Sequence, residues 1–163
     1  FEMIYKDYLN AARKHEQTCE VLYNKITADN CSPRLKKSLL INLYYLSGYI
    51  IECIVKYAIY DLIAYKKDQD IAQLNQHGLK YSTHIRHHRF DLYTEHLTRY
   101  MSCPTPLITI KKGIAKEVLG LYKQWDADIR YKDDLGRNLQ IHYTEFYQYG
   151  KKIFRIIKDN VRG

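Results

Sequence analysis

Glycine and proline are scarce in this chain, at 7 and 3 of 163 residues. No stretch alternates apolar and polar residues with a period of two, which argues against a sheet-based fold. There is no internal repeat and no low-complexity segment. The four cysteines (Cys19, Cys31, Cys53, Cys103) include no CxxC pair. Their scatter suits free thiols in a reducing cytosol better than a disulfide framework. No glycine-rich phosphate loop is present, so a mononucleotide would need a dimer cleft or helix ends. No serine or cysteine stands in an arrangement that would activate it as a nucleophile. The chain begins at Phe1 rather than Met and is read as a piece of a longer one, with any targeting signal upstream out of view.

What the chain has in excess is positive charge and tyrosine. It carries 26 Lys and Arg against 18 acids, a formal +8, and such a balance favours polyanionic partners such as nucleic acid. Seventeen tyrosines suit half-buried helix faces, because each ring buries area while its hydroxyl keeps a polar tip. The same rings can stack on bases. The length fits a single domain over residues 1–163.

Residues 39–64 form a run apolar almost all round and long enough to cross a membrane. Glu52 and Lys56 interrupt it. They lie four apart on one helical face, acid before base, the favourable order. A charged pair at mid-span, with Asp61 near the end, is costly in lipid. The expectation is the central helix of a soluble, cytoplasmic bundle with no membrane contact, in which Glu52 and Lys56 are a structural polar pair or line a polar cleft.

The periodicity predicts an all-α fold. A first helix spans about 3–26, its apolar stripe formed by Tyr5, Tyr8, Ala12, Cys19, Leu22 and Ile26, with His15 on the same stripe as a partnered residue. Ser32 and Pro33 give an N-cap and a first helical position for a second helix over about 33–65. Residues 66–84 read as a loop around His77-Gly78. A third helix is expected over 85–101 and a fourth over 106–127. A loop follows at 131–137, and a last helix at 139–161. On that last helix Lys151, Arg155, Lys158 and Arg162 share one stripe, opposite Phe146, Ile153, Ile157 and Val161. The stripe is either a solvated face or a phosphate contact. His84 and His88 would share a face of the third helix, but with no further ligands in view no metal is expected.

Tyr45-Leu46-Ser47-Gly48-Tyr49, followed by Glu52-Cys53 and Lys56, resembles the second-helix pattern of HEPN domains. Three further features fall in the same order: Tyr8-Leu9 with Ala12 in the first helix, His88 with Phe90 and Tyr93 after the long helix, and Trp125 before Arg130-Tyr131. The resemblance covers about residues 5–160. It implies an up-and-down bundle of four to five helices, paired as a homodimer, that binds RNA or a nucleotide without a cofactor. Active members are metal-independent endoribonucleases of toxin–antitoxin and phage-defence systems, often beside a nucleotidyltransferase antitoxin. Inactive members serve in dimerisation or partner binding.

Active HEPN members carry an arginine, four to six residues and a histidine near the last helix. Arg137 and His142 match, with Arg137 to stabilise the phosphate and His142 to act as base. Arg130, Tyr131 and the Lys151–Arg155–Lys158–Arg162 stripe would hold the nucleic acid. Arg89 and His96 also match by spacing but lie too early in the chain. Aligned on Arg130 instead, the expected histidine falls on Leu135, Gly136 or Arg137 and is missing. The tyrosine that commonly follows the histidine by two positions is replaced by Thr144, with Tyr143 adjacent to His142.

Overall fold

A computed structural model of the chain describes residues 2–88, 116–132 and 140–160. Helix takes up 75% of them, and the fold is all-α. The first helix, α1 (Lys6–Thr27), buries Tyr8, Leu9, Ala12, Cys19 and Ile26. Asp7 holds its start by accepting the Ile4 N–H at 3.0 Å.

The second helix, α2 (Pro33–Leu62), starts as predicted. Ser32 is extended and its Oγ accepts the Leu35 N–H at 3.3 Å, while Pro33 takes the first helical position, where its missing N–H costs nothing. From Ile50 to Tyr60 every residue of α2 is buried. Among the described residues α2 is the one helix long and apolar enough to cross a membrane, and 67% of that window is buried inside the protein.

After α2 the chain reverses at Ala64, which sits at a positive φ of 53°. Residues 66–84 hold more structure than the predicted loop. A 3-10 turn at Ile71–Gln73 is capped by Asp70. It is followed by a minimal antiparallel hairpin that pairs Asn75 with Lys80 and Gln76 with Leu79. His77 and Gly78 both have positive φ, 52° and 74°, as the tight turn between paired strands of right-handed twist demands. Strands of two residues are too short to show a period of two. A wide turn at Tyr81–Ile85 then leads to bends at Arg86 and His87. The third helix therefore does not begin at residue 85, and the remainder of it, 89–101, lies outside the described residues.

The predicted fourth helix appears as α3 (Lys116–Gln124) and ends before Trp125 rather than at 127. The reason is local. Asp126 is extended and its carboxylate accepts the Asp128 N–H at 2.7 Å, which starts a separate 3-10 turn at Ala127–Tyr131. The last helix is α4 (Gln140–Asn160).

The two long neighbours of α2 are α1 and α4. Tyr44 donates from its hydroxyl to the Leu121 carbonyl at 2.6 Å, stacks on Tyr143 at 4.9 Å and meets Phe146 edge-on at 5.0 Å. A Cβ on Gly150 would stand 3.3 Å from the Ser47 carbonyl oxygen, so α4 approaches α2 closely there. Between α1 and α4, Glu20 takes the hydroxyl of Tyr147 and the ammonium of Lys151, the latter at 3.0 Å. Both donors hold the Glu20 carboxyl below its usual range, Tyr147 most of all.

Among the described residues the nearest group to Gly48 is the indole of Trp125, just beyond α3: a Cβ there would overlap Trp125 Cε2 and Nε1. Trp125 is fixed in place by donating Nε1–H to the Tyr45 carbonyl at 3.1 Å. Gly48→Ala is therefore expected to destabilise the fold by about 2–3 kcal/mol, in the upper part of the overpacking range, with partial recovery in Gly48→Ala/Trp125→Leu. Urea unfolding of the three proteins measures it.

Candidate functional site

Tyr45, Tyr49, Glu52 and Lys56 recur at spacings of four, three and four along α2 and so share one face. Glu52 and Lys56 are almost sealed from solvent, at 4% and 3% side-chain exposure. Lys56 Nζ lies 2.8 Å from Glu52 Oε1 and 5.6 Å from the centre of the Tyr8 ring on α1. The pair is buried more deeply than the semi-buried pair expected from the sequence.

A third group reaches the same carboxylate from a distant segment. His88 Nδ1 lies 2.9 Å from Glu52 Oε1 and 3.1 Å from Oε2. A carboxylate only accepts, so Nδ1 carries the proton and donates to both oxygens. His88 itself is half exposed, at 50%. A neutral ring held this way has its lone pair on Nε2. Glu52 is thus the middle member of a polar line that runs from buried Lys56 to an imidazole at the surface.

Aromatic rings frame the line. Tyr49 meets His88 edge-on at 5.9 Å and Trp125 edge-on at 5.0 Å. His15 on α1 stacks on Tyr49 at 5.6 Å. It is the partnered residue expected from its stripe. Burial, and then the charge of Lys14, lowers its pKa and favours the neutral ring. The Tyr45 hydroxyl donates to the Tyr49 hydroxyl at 3.4 Å. Arg130 interacts with the Tyr45 side chain and lies 4.6 Å over the ring of Tyr131, which is 72% exposed. Cys53 sits beside the pair, but burial pushes its thiol up to about 12 and leaves it inert as a nucleophile. Cys19, Cys31 and Cys53 are free.

The other predicted site residues are placed as follows. His142 is in the first turn of α4, its Nδ1 3.5 Å from Glu145 Oε2, an ion-pair distance rather than a hydrogen bond. Arg137, Arg162 and the pair Arg89 and His96 lie outside the described residues. Of the basic stripe, Lys151 is tied to Glu20 and half-buried, whereas Arg155 and Lys158 are exposed, Lys158 lying over the Phe154 ring at 6.0 Å. His84 and His88 do not share a helix. The Nδ1 of His84 accepts the Lys80 N–H at 2.9 Å, and among the described residues no group of three or more His, Cys, Asp or Glu is placed to hold a metal.

His88 was visible in the sequence only as a member of a motif. Nothing in its spacing from Glu52, 36 residues away, signals that the two meet. Comparison with protein-family models, curated proteins and solved structures finds no match.

Removing one partner of a buried ion pair strands the other charge, whereas replacing both with apolar groups does not. Glu52→Leu alone is expected to cost about 3–5 kcal/mol on that basis, and Glu52→Leu/Lys56→Met to recover most of the loss. Denaturant unfolding of the two single variants and the double closes the cycle. A double variant no more stable than either single one would refute the ion-pair account.

Proposed function

We propose that this chain is a HEPN-like domain that binds RNA or a nucleotide as a homodimer and acts as a metal-independent endoribonuclease of a toxin–antitoxin or phage-defence system. The observation that carries the reading is convergence. The segments that produced the resemblance are far apart in sequence: Tyr45 to Lys56, His88, and Trp125 to Tyr131. His88 reaches Glu52, the Trp125 indole reaches the Tyr45 carbonyl and Arg130 the Tyr45 side chain, with Tyr8 of the first-helix pattern beside Lys56, while Phe90 and Tyr93 lie outside the described residues. A resemblance built of unrelated coincidences has no reason to close in space.

The chemistry of that face agrees with a polyanion carrying bases. It offers an exposed guanidinium at Arg130, an exposed ring at Tyr131 and a half-exposed imidazole, on a chain of net charge +8. Arginine's planar fork matches phosphate oxygens, and a tyrosine ring accepts a base of any identity. Arg155 and Lys158 extend the cationic surface along α4. A catalytically inactive module for dimerisation or partner binding is the second reading, favoured by the loose hold on His142.

Fluorescence anisotropy with a labelled single-stranded RNA tests the reading. Binding is expected to weaken steadily with added salt, as counterion release requires. Arg130→Ala/Tyr131→Ala is expected to weaken it by about tenfold or more, one lost stack being worth about 1–3 kcal/mol. Incubation of the same RNA in EDTA, beside Arg137→Ala/His142→Ala, separates the two readings. Cleavage by the native chain supports the ribonuclease. Binding without cleavage supports the inactive module.

A further inference from the structure

We propose that His88, oriented by Glu52, is the proton-accepting catalytic residue of this domain, acting on a ribose 2′-hydroxyl. The inference rests on the RNA-binding reading above and assigns it a chemical centre distinct from Arg137 and His142. Three features set His88 apart from the other described histidines. Its inner nitrogen is fixed by two contacts to a buried carboxylate, at 2.9 and 3.1 Å. Its side chain is half exposed, so the imidazole lies at the surface rather than in the core. The carboxylate that orients it is itself held by Lys56 at 2.8 Å, which fixes it behind the ring. A general base needs this arrangement: a fixed tautomer, an available lone pair and an orienting group behind it. His142, by contrast, has only an ion-pair distance to Glu145.

The groups around His88 are Glu52, paired with Lys56, behind it and Tyr49 beside it, with His15 stacked on that tyrosine. In the proposed step, Nε2 takes the proton of a 2′-hydroxyl while the 2′ oxygen bonds to the adjacent phosphorus. The bond from phosphorus to the 5′ oxygen breaks, and that oxygen leaves with a proton from water. The products are a 2′,3′-cyclic phosphate and a free 5′-hydroxyl, and His88 returns its proton to water. No metal, oxidant or co-reactant enters. Glu52 and Lys56 are positioning residues.

The test is cleavage of a labelled RNA in EDTA by the native chain and by His88→Ala, with binding of the same RNA followed in parallel. The proposal expects His88→Ala to cleave at least about 100-fold more slowly, the lower bound for loss of a general base, with binding retained. It also expects no cut where the 2′-hydroxyl at the scissile position is removed. Native-like cleavage by a folded His88→Ala overturns it, whatever Arg137 and His142 contribute. Native protein that binds but does not cut overturns it and leaves the binding function standing, whereas neither binding nor cutting overturns both. Nitrogen-15 NMR of the native imidazoles is independent of the variant's folding. Neutral His88 is expected as the Nδ1–H tautomer, with that preference lost in Glu52→Leu/Lys56→Met, and a dominant Nε2–H tautomer refutes the proposal.

Discussion

The carboxylate of Glu52 is almost wholly removed from water in the middle of a helix that other elements cover, and three segments of the chain are arranged to satisfy it. A lone buried carboxylate is among the costliest groups a fold can contain. Lys56, one turn on, supplies the countercharge, and His88 supplies a donor to both oxygens. Each imposes a constraint. Lys56 must also be buried, and it is sheltered by the ring of Tyr8 on α1. His88 must be delivered from beyond the hairpin, so the path from Ala64 through the turn at His77-Gly78 to Ile85 determines whether it reaches the carboxylate. An apolar trio would have filled the same space at less risk.

Tyrosine solves a related problem throughout the core. A ring buried in a helical bundle must bring its hydroxyl to an acceptor, and helix interiors offer few. Here the acceptors are carbonyls where helices end or turns begin: Leu121 for Tyr44, Ile71 for Tyr60 and Asp70 for Tyr65. Where no carbonyl is near, a carboxylate serves, Glu20 for Tyr147 and Asp61 for Tyr5. The tyrosines thereby pin the loops to the helices. Burial raises the pKa of each of these phenols, so they remain neutral donors across the physiological range.

What was legible in the sequence was local. Ser32-Pro33 marked the start of α2 because an N-cap and a proline act on their own backbone. The stripe from Tyr5 to Ile26 marked the buried face of α1, and Glu52 with Lys56 announced a polar pair because four residues of helix fix their distance. What was not legible depended on tertiary placement. Gly48 suggests the close approach of a helix, but the partner is the flat indole of Trp125, which reaches it only because α3 stops at Gln124 and Asp126 starts a new turn. His88 was assigned to a third helix, with His84 on the same face. The bends at Arg86 and His87 instead turn it onto Glu52. No propensity scale contains that contact, since it joins residues on either side of a hairpin whose strands are two residues long.

The two candidate centres differ in what the fold invests in them. His142 is in the first turn of a helix, its Nδ1 buried and 3.5 Å from Glu145 on the same helix. The Glu52–His88 contact crosses between segments, uses both oxygens of a buried acid and is framed by Tyr49 and, beyond it, Trp125 and His15. Alignment on Arg130 leaves the expected histidine missing from the chain that follows it. In space, an imidazole supplied by an earlier segment lies against Tyr49 and Glu52. A function carried by geometry need not preserve the sequence order of its parts. On that reasoning the missing histidine is no argument against catalysis, because the acid–base pair a reaction needs is defined by where its atoms meet.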